Sequence, residues 1–445
     1  MNASVVVVVA LQSQPSMWVE HTVVIVGLSA ALVAEWWLGR RYGDWFPTSP
    51  LIVACGALMG AVGRPSTKFN PDLFFAVILP PILFWTGYSM PLERFKGHRV
   101  GVAAHAFVGT LVTVVLVTVS LWYGAPLVGA YRLGWYETMI LASIVGATDP
   151  VSVVPMVSSP TTPPSLYALI VGESSLNDVV GVAMFHHLTT AYMDGERYLT
   201  WLAVASTFGG FVWSGVVAAF LGCCVGWGCC LLTSKLGDHP TLYTLMATLP
   251  WASYTACEAA HVSGIVGILV CGMVVAQRCD DQRIRSGFRH QYHTLAHLAD
   301  TFVLCTMGVS LGTTAQFGSN AVLFAGLASV SVILARAVQV LCVGCATNLC
   351  RRQRYSWIEL VILWLAGMRG SIAFALVLTV GRTIANEHAT DVMVLSTIGV
   401  TLSTTLLATV GVPMGLRCLS QRRFDPLPTE ADSRMELDDG QVEAI

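Results

Sequence analysis

The sequence predicts an all-α polytopic membrane protein, and three observations carry that prediction. Of 445 residues, 55% are hydrophobic and only 11% charged, with a mean hydropathy of +0.67. Apolar runs long enough to cross about 30 Å of hydrocarbon recur from end to end, more than a soluble core can use. Two of these runs are broken by glycine, proline and charge in a pattern that ordinary buried helices lack.

In chain order the spans fall at about 19–39, 50–63, 71–90, 99–123, 135–157, 165–191, 201–233, 240–257, 261–278, 295–314, 319–347, 356–382 and 389–417, about 13 transmembrane helices with ends uncertain by roughly four residues. The N-terminal segment, 1–18, lacks a basic n-region, so MNASVVVVVALQSQ makes a poor signal peptide. Asn2-Ala3-Ser4 fits the glycosylation sequon but sits too near the terminus to count for much. The third span carries the Leu79-Pro80-Pro81 turn, and the seventh carries CCVGWGCC at 223–230. In a glycine-rich lipid-embedded helix, cysteine reads as a small packing residue, with no disulfide framework or metal implied. A hydrophilic loop is expected around 278–294, and the chain ends in a tail, 418–445, that turns from basic to acidic and reads as disordered. The domain organisation is therefore one transmembrane unit, 19–417, between two short ends.

Charge sets the orientation. With the N-terminus outside or luminal, the cytoplasmic loops and tail collect seventeen of the 24 basic residues and the opposite loops five, namely Arg64, Lys68, Arg132, Arg197 and Arg382. That positive-inside bias needs an odd number of spans and puts the C-terminus in the cytoplasm. The remaining two, Arg336 and Arg369, fall inside spans. A net charge of −2 gives no reason to expect nucleic acid, and no HExxH, GxSG or GxGD signature lies within a span, so a membrane enzyme is not expected. No cofactor is implied.

Three acidic side chains fall deep inside spans, away from either end: Asp149 in LASIVGATDPVSVVPMV, and Glu173 and Asp178 in LIVGESSLNDVVGVAMF. Each costs roughly 2.5–3.5 kcal/mol on insertion scales, so such groups mark an ion or proton pathway. In the fifth span Gly146 and Pro150 bracket Asp149, and Pro155 follows; in the twelfth, Gly367, Arg369 and Gly370 interrupt WLAGMRGSIAFALVL. Two ordinary kinks are the plainer alternative. Paired breaks in separated halves of a chain point instead to a transporter site of crossed discontinuous helices, whose freed carbonyls must be satisfied at membrane depth.

The sixth span supplies the other half of such a site. On a helix Ser174 and Asp178 share a face, with Glu173 and Asn177 as a second pair beside them. Ser174 and Asp178 can point together at the break around Asp149. A carboxylate, a hydroxyl and freed carbonyls are hard oxygen ligands for an alkali cation. A carboxylate taken partly out of water gains by neutralisation, with a proton or a cation, and that competition for one site is a complete antiport mechanism. Glu173 faces elsewhere and needs a counter-ion; Arg336, alone in SVSVILARAVQVLCVG, is the first candidate and Arg369 the second.

GATDPVSVV at 146–154, GESSLNDVV at 172–180, GMRGSIAFAL at 367–376, ILPPILFWTGYSM at 78–90 and EAAHVSGI at 258–265 resemble, in order, motifs of sodium/proton exchangers in the monovalent cation:proton antiporter family. The resemblance implies electroneutral exchange of a monovalent cation, Na+ or else K+ or Li+, for H+, regulating intracellular or organellar pH and cation content. It implies inverted repeats of six helices, a dimerisation domain and a core ion-transport domain, and a homodimer that works by an elevator-like motion. Position by position, Asp178 corresponds to the ion-binding, proton-carrying carboxylate, with Asn177 its neighbour and Thr148, Asp149 and Ser174 around it. Glu173 with Arg336 corresponds to a structural ion pair. Related antiporters that move two protons per cation have a second aspartate where this chain has Asn177.

Departures are specific. Trp85 stands where eukaryotic relatives usually carry an acidic or polar residue, and Val77 replaces an aromatic in the stretch associated with amiloride-type inhibitors. The long regulatory tail of plasma-membrane relatives, with its calmodulin and phospholipid sites, is not expected here. Glu258, His261 and Asp300 lie near span ends, as gating or pH-sensing candidates or as residues that merely reach water; His186 and His187 read as interfacial. A cation channel or a transport-inactive sensor of the same fold stays open as the alternative. So do the choice of cation and that between plasma membrane and endomembrane.

Overall fold

The computed structural model describes residues 17–42, 48–63, 71–90, 98–157, 162–195, 201–236, 240–279, 281–313, 318–349 and 354–424. Each predicted span is met by helix. The passes are α1 (Met17–Tyr42), α2 (Thr48–Gly63), α3 (Pro71–Leu73, a π turn at Phe74–Ile78, then Leu79–Ser89) and α4 (Arg99–Ala103, a π turn at Ala104–Gly109, then Thr110–Leu127). Then come α5a (Trp135–Gly146) and α5b (Pro150–Val157), α6 (Pro164–Met193), α7 (Trp201–Leu236), α8 (Pro240–Ala259), α9 (Gly264–Arg278) and α10 (Gln282–Thr313). The chain continues through α11 (Ser319–Leu349), the halves α12a (Trp357–Leu365) and α12b (Ser371–Val380), and α13 (Glu387–Phe424). Among the described residues, six helices are long and apolar enough to cross a membrane on length and composition, with shorter apolar helices between them.

Two expectations need correction. The hydrophilic loop expected at 278–294 is mostly helix, because α10 begins at Gln282. Its polar first turns carry a narrow apolar stripe, Ile284, Phe288 and Tyr292, all buried, at the i, i+4, i+8 spacing of one helix face. Tyr292 anchors the stripe: its hydroxyl donates to the Met246 and Ala247 carbonyls of α8 at 3.1 and 3.0 Å, and its ring centroid lies 4.1 Å from that of Phe84 on α3. At the other end, α13 runs on to Phe424, so 418–424 is helix where a disordered tail was expected. The rest of that tail and the Asn2-Ala3-Ser4 sequon lie outside the described residues.

Packing falls into two groups. In one, α10 lies along α2, α9 along α7 and α3, and α8 against α7 and α9; in the other, α11 packs on α13 and α4, and α5a on α4 and α6. Small residues allow the tightest of these approaches. A Cβ on Gly56 would run into the Cys305 carbonyl oxygen, and one on Gly308 into that of Val53, which is how GxxxG-type faces bring two helix backbones together. Contacts between the groups are fewer, chiefly α12b with α10 and the start of α3, α13 with α2 and α10, and α5b with α3. At the centre stands α6, with 83% of its apolar window buried, against 28% for α7, whose Trp213, Phe220 and Trp227 face outward. The acidic segment of α6 is thus enclosed by protein.

Candidate functional site

The two broken helices meet at their breaks. After Gly146 the chain turns extended at Ala147, passes Thr148 and Asp149, and restarts as helix at Pro150, where a proline costs no hydrogen bond because the first turn's N–H groups have no helical partners. The second break runs from Ala366 to Gly370. The backbones join directly, the Asp149 N–H donating to the Met368 carbonyl at 2.8 Å.

Each break exposes two helix ends, and each end carries roughly half an elementary charge. Arg369 answers the negative ends. It is 1% exposed, its Nε donates to the Val145 carbonyl at 2.8 Å at the end of α5a, and its Nη1 donates to the Gly367 carbonyl just past α12a. Asp149 answers the positive ends. It immediately precedes α5b, accepts a 2.7 Å bond from Ser152 Oγ, and lies so close to Gly370, the N-cap of α12b, that a Cβ there would strike its carboxylate. Thr404 of α13 steadies the second break by accepting from the Arg369 N–H at 3.2 Å.

On α6 the polar residues divide in two. Thr148 is the junction for the first set: its N–H donates to Asn177 Oδ1 at 3.1 Å, its hydroxyl donates to Ser174 Oγ at 3.0 Å, and it accepts from Asn177 Nδ2 at 2.6 Å. Asn177 and Ser174 therefore clamp the α5 break to α6. Asp178, next in the chain and 2% exposed, has a carboxylate oxygen, Oδ2, with no protein hydrogen-bond partner, and the Asp149 charge is near enough to repel it. The second set faces α11. Arg336 grips Glu173 with both terminal nitrogens, Nη2 to Oε2 at 2.9 Å and Nη1 to Oε1, and Nη2 also donates to the Leu363 carbonyl of α12a at 3.2 Å. The Coulomb gain of such a pair is balanced against desolvation, so its worth lies in fixing α6, α11 and α12a relative to one another.

Other singled-out residues lie apart from this cluster. Glu258 and His261 are exposed at the turn between α8 and α9, where Glu258 Oε1 accepts from the Gly264 N–H at 3.0 Å and His261 adopts φ +54°. Asp300 is buried within α10. Sequence reasoning missed Ser152, Thr404, Gln339 and His105. Gln339 lies one turn beyond Arg336, a spacing that marks one face and was available as a signal; His105 gave none, being a lone histidine in an apolar stretch, and Thr404 gave none because nothing local tells it from its neighbours Thr401, Ser403 and Thr405.

The family described as sodium/hydrogen exchanger, transmembrane, matches residues 28–418. Sodium/hydrogen exchanger 9 of Homo sapiens is 30% identical over 324 residues, covering 69% of this chain and 50% of that protein. Sodium/hydrogen exchanger 5 of Arabidopsis thaliana is 29% identical over 359 residues, 76% of this chain and 66% of that one. The chain spans about half the length of the exchanger 9 relatives it matches. In structure it resembles the sodium proton antiporter MjNhaP1 of Methanocaldococcus jannaschii, with a TM-score of 0.69 at 17% identity, over 90% of this chain and 99% of the antiporter.

Proposed function

We propose, from the premise that this chain belongs to the sodium/hydrogen exchanger family, that it exchanges Na+ for H+ across a membrane by alternating access, with Asp178 carrying the exchanged ion. The observation that carries the assignment is electrostatic. Among the described residues of the crossing, Arg369 and Asp149 each answer helix ends, Glu173 is held by Arg336, and Asp178 is left as a buried carboxylate with an oxygen that no protein donor reaches. Such a charge is stable at membrane depth only when neutralised. A proton or a cation does so equally well, and the two exclude each other. Thr148, Ser174, Asn177 and Asp149 shape the break beside it, and the Glu173–Arg336 pair fixes the helices around it.

Several finer features belong to this reading. Exchange is one proton for one cation, because Asn177 cannot give up a proton. Residues 19–417 form the transport unit, the group built on α2, α3, α7, α8, α9 and α10 serving as the dimerisation domain and the group built on α4, α5, α6, α11, α12 and α13 as the ion-transport core. Sparse contacts between the groups suit an elevator-like motion of the core. A homodimer, with the N-terminus outside or luminal and the C-terminus cytoplasmic, in the plasma membrane or an endomembrane, completes it. Reconstitution in proteoliposomes with an internal pH dye tests the reading: saturable, cation-dependent proton efflux with Na+, K+ or Li+ supports it, and its absence with all of them sinks it.

A further inference from the structure

The Glu173–Arg336 pair does not end at Arg336. Gln339, on α11, and His105, in the π turn of α4, are both fully buried, and they extend the pair into a chain of four side chains. Arg336 Nη1 donates to Gln339 Oε1 at 2.9 Å, and Gln339 Nε2 lies 3.0 Å from His105 Nδ1.

Donor and acceptor identities fix every member. A guanidinium only donates, so the amide must turn its oxygen to Arg336 and its NH2 to His105. An amide NH2 also only donates, so His105 Nδ1 must be the acceptor. The ring is then neutral with its proton on Nε2, a nitrogen that has no protein partner. The surroundings are shaped to this arrangement. The wide turn of the π segment Ala104–Gly109 carries His105 and Gly109 on one face of α4, and a Cβ on Gly109 would occupy the place of the Gln339 amide. The charged groups that bear on His105 are Glu173 and Arg336, the pair itself.

We propose that Gln339 is a positioning residue for exchange, holding the Arg336 guanidinium in register with Glu173 on the ion-carrying helix, and that His105 is the acceptor that keeps the Gln339 amide from turning over. A reversed amide would point its NH2 at a guanidinium and its oxygen at an unprotonated nitrogen, leaving two buried groups unsatisfied. The inference rests on the exchange reading above, and part of its test does not.

The test uses the reconstituted full chain and Na+-driven proton flux. His105→Asn keeps an acceptor oxygen close to the Nδ1 position, His105→Leu removes it, and Gln339→Leu removes the link. Flux within about twofold of wild type is expected for His105→Asn and a loss of about tenfold for each leucine variant, the scale of one orphaned buried polar group. In a Glu173→Gln/Arg336→Leu background, where no guanidinium is left to position, Gln339→Leu should lower the melting temperature by less than it does in the wild-type background, the remaining cost being the His105 acceptor that it orphans. An equal drop in both backgrounds would reveal ordinary packing and overturn the proposal, as would wild-type flux in His105→Leu. Independently of transport and of how the variants fold, NMR of histidine-labelled wild-type protein reads the His105 tautomer, its signal identified by its loss in His105→Asn. The Nε2–H form is expected and the Nδ1–H form overturns the proposal, whereas a wild-type protein that moves no protons removes the exchange reading alone.

Discussion

Asp149 sits where α5b and α12b begin, and Arg369 reaches the carbonyls where α5a and α12a end, so each charge has opposed half-charges to meet. Asp178 lies within α6 and has a carboxylate oxygen with no protein hydrogen-bond partner, which separates two carboxylates that look alike in the sequence. Replacing it with asparagine exchanges an acid for an amide that is cheaper at membrane depth. Asp178→Asn protein should therefore fold and melt like wild type while cation-driven proton flux falls to the level of empty liposomes; measurable flux from well-folded variant protein would move the carrier elsewhere. Glu173 should behave in the opposite way. Breaking a buried pair leaves a lone charge at a cost of about 3–5 kcal/mol, so Glu173→Gln and Arg336→Gln should each lower the melting temperature sharply. The double variant should recover part of that loss. Melting-point losses that simply add would mean that the two residues are not energetically coupled.

At the scale of elements, the crossing depends on backbone as much as on side chains. Asp149 N–H to Met368 carbonyl is a main-chain bond, and Gly370 leaves the space that lets Asp149 lie over the start of α12b. Adding one methyl there, as Gly370→Ala, should cost about 1–3 kcal/mol by overpacking and displace the Asp149 carboxylate. Flux is expected to fall much further than thermal stability does, a difference seen by measuring both on one preparation. The two breaks could be read from the sequence because proline, glycine and charge interrupt apolar runs locally, and the Glu173–Arg336 pair because lone charges at membrane depth demand partners. Other features were not legible for physical reasons. The first turns of α10 are rich in Arg and His, and an average over hydropathy hides the stripe Ile284, Phe288, Tyr292 that only a helical period brings out. The π turns leave no composition signal. The link from His105 to Gln339 joins residues 234 apart in the chain, a contact that no local motif can announce.

For the molecule as a whole, the sharpest consequence of this chemistry is its stoichiometry. Asn177 has both ends of its amide committed to Thr148 and no proton to exchange, so on the proposed reading Asp178 alone would trade one H+ for one monovalent cation. No net charge then crosses in a cycle. A membrane potential supplies about 2.3 kcal/mol per elementary charge per 100 mV, so any uncompensated charge would show as a large displacement of the equilibrium. A tenfold cation gradient is worth about 1.4 kcal/mol and should balance a tenfold proton gradient, one pH unit, at every potential. The measurement is a null point: in proteoliposomes with Na+ as substrate, K+ and valinomycin clamp the potential, and the pH difference that stops flux is found for several Na+ gradients. The balance point should track the Na+ gradient one for one and stay fixed when the potential is stepped. A null point that moves with potential would mean that a second proton travels with Asp178, and would take from Asn177 the role of fixing the count.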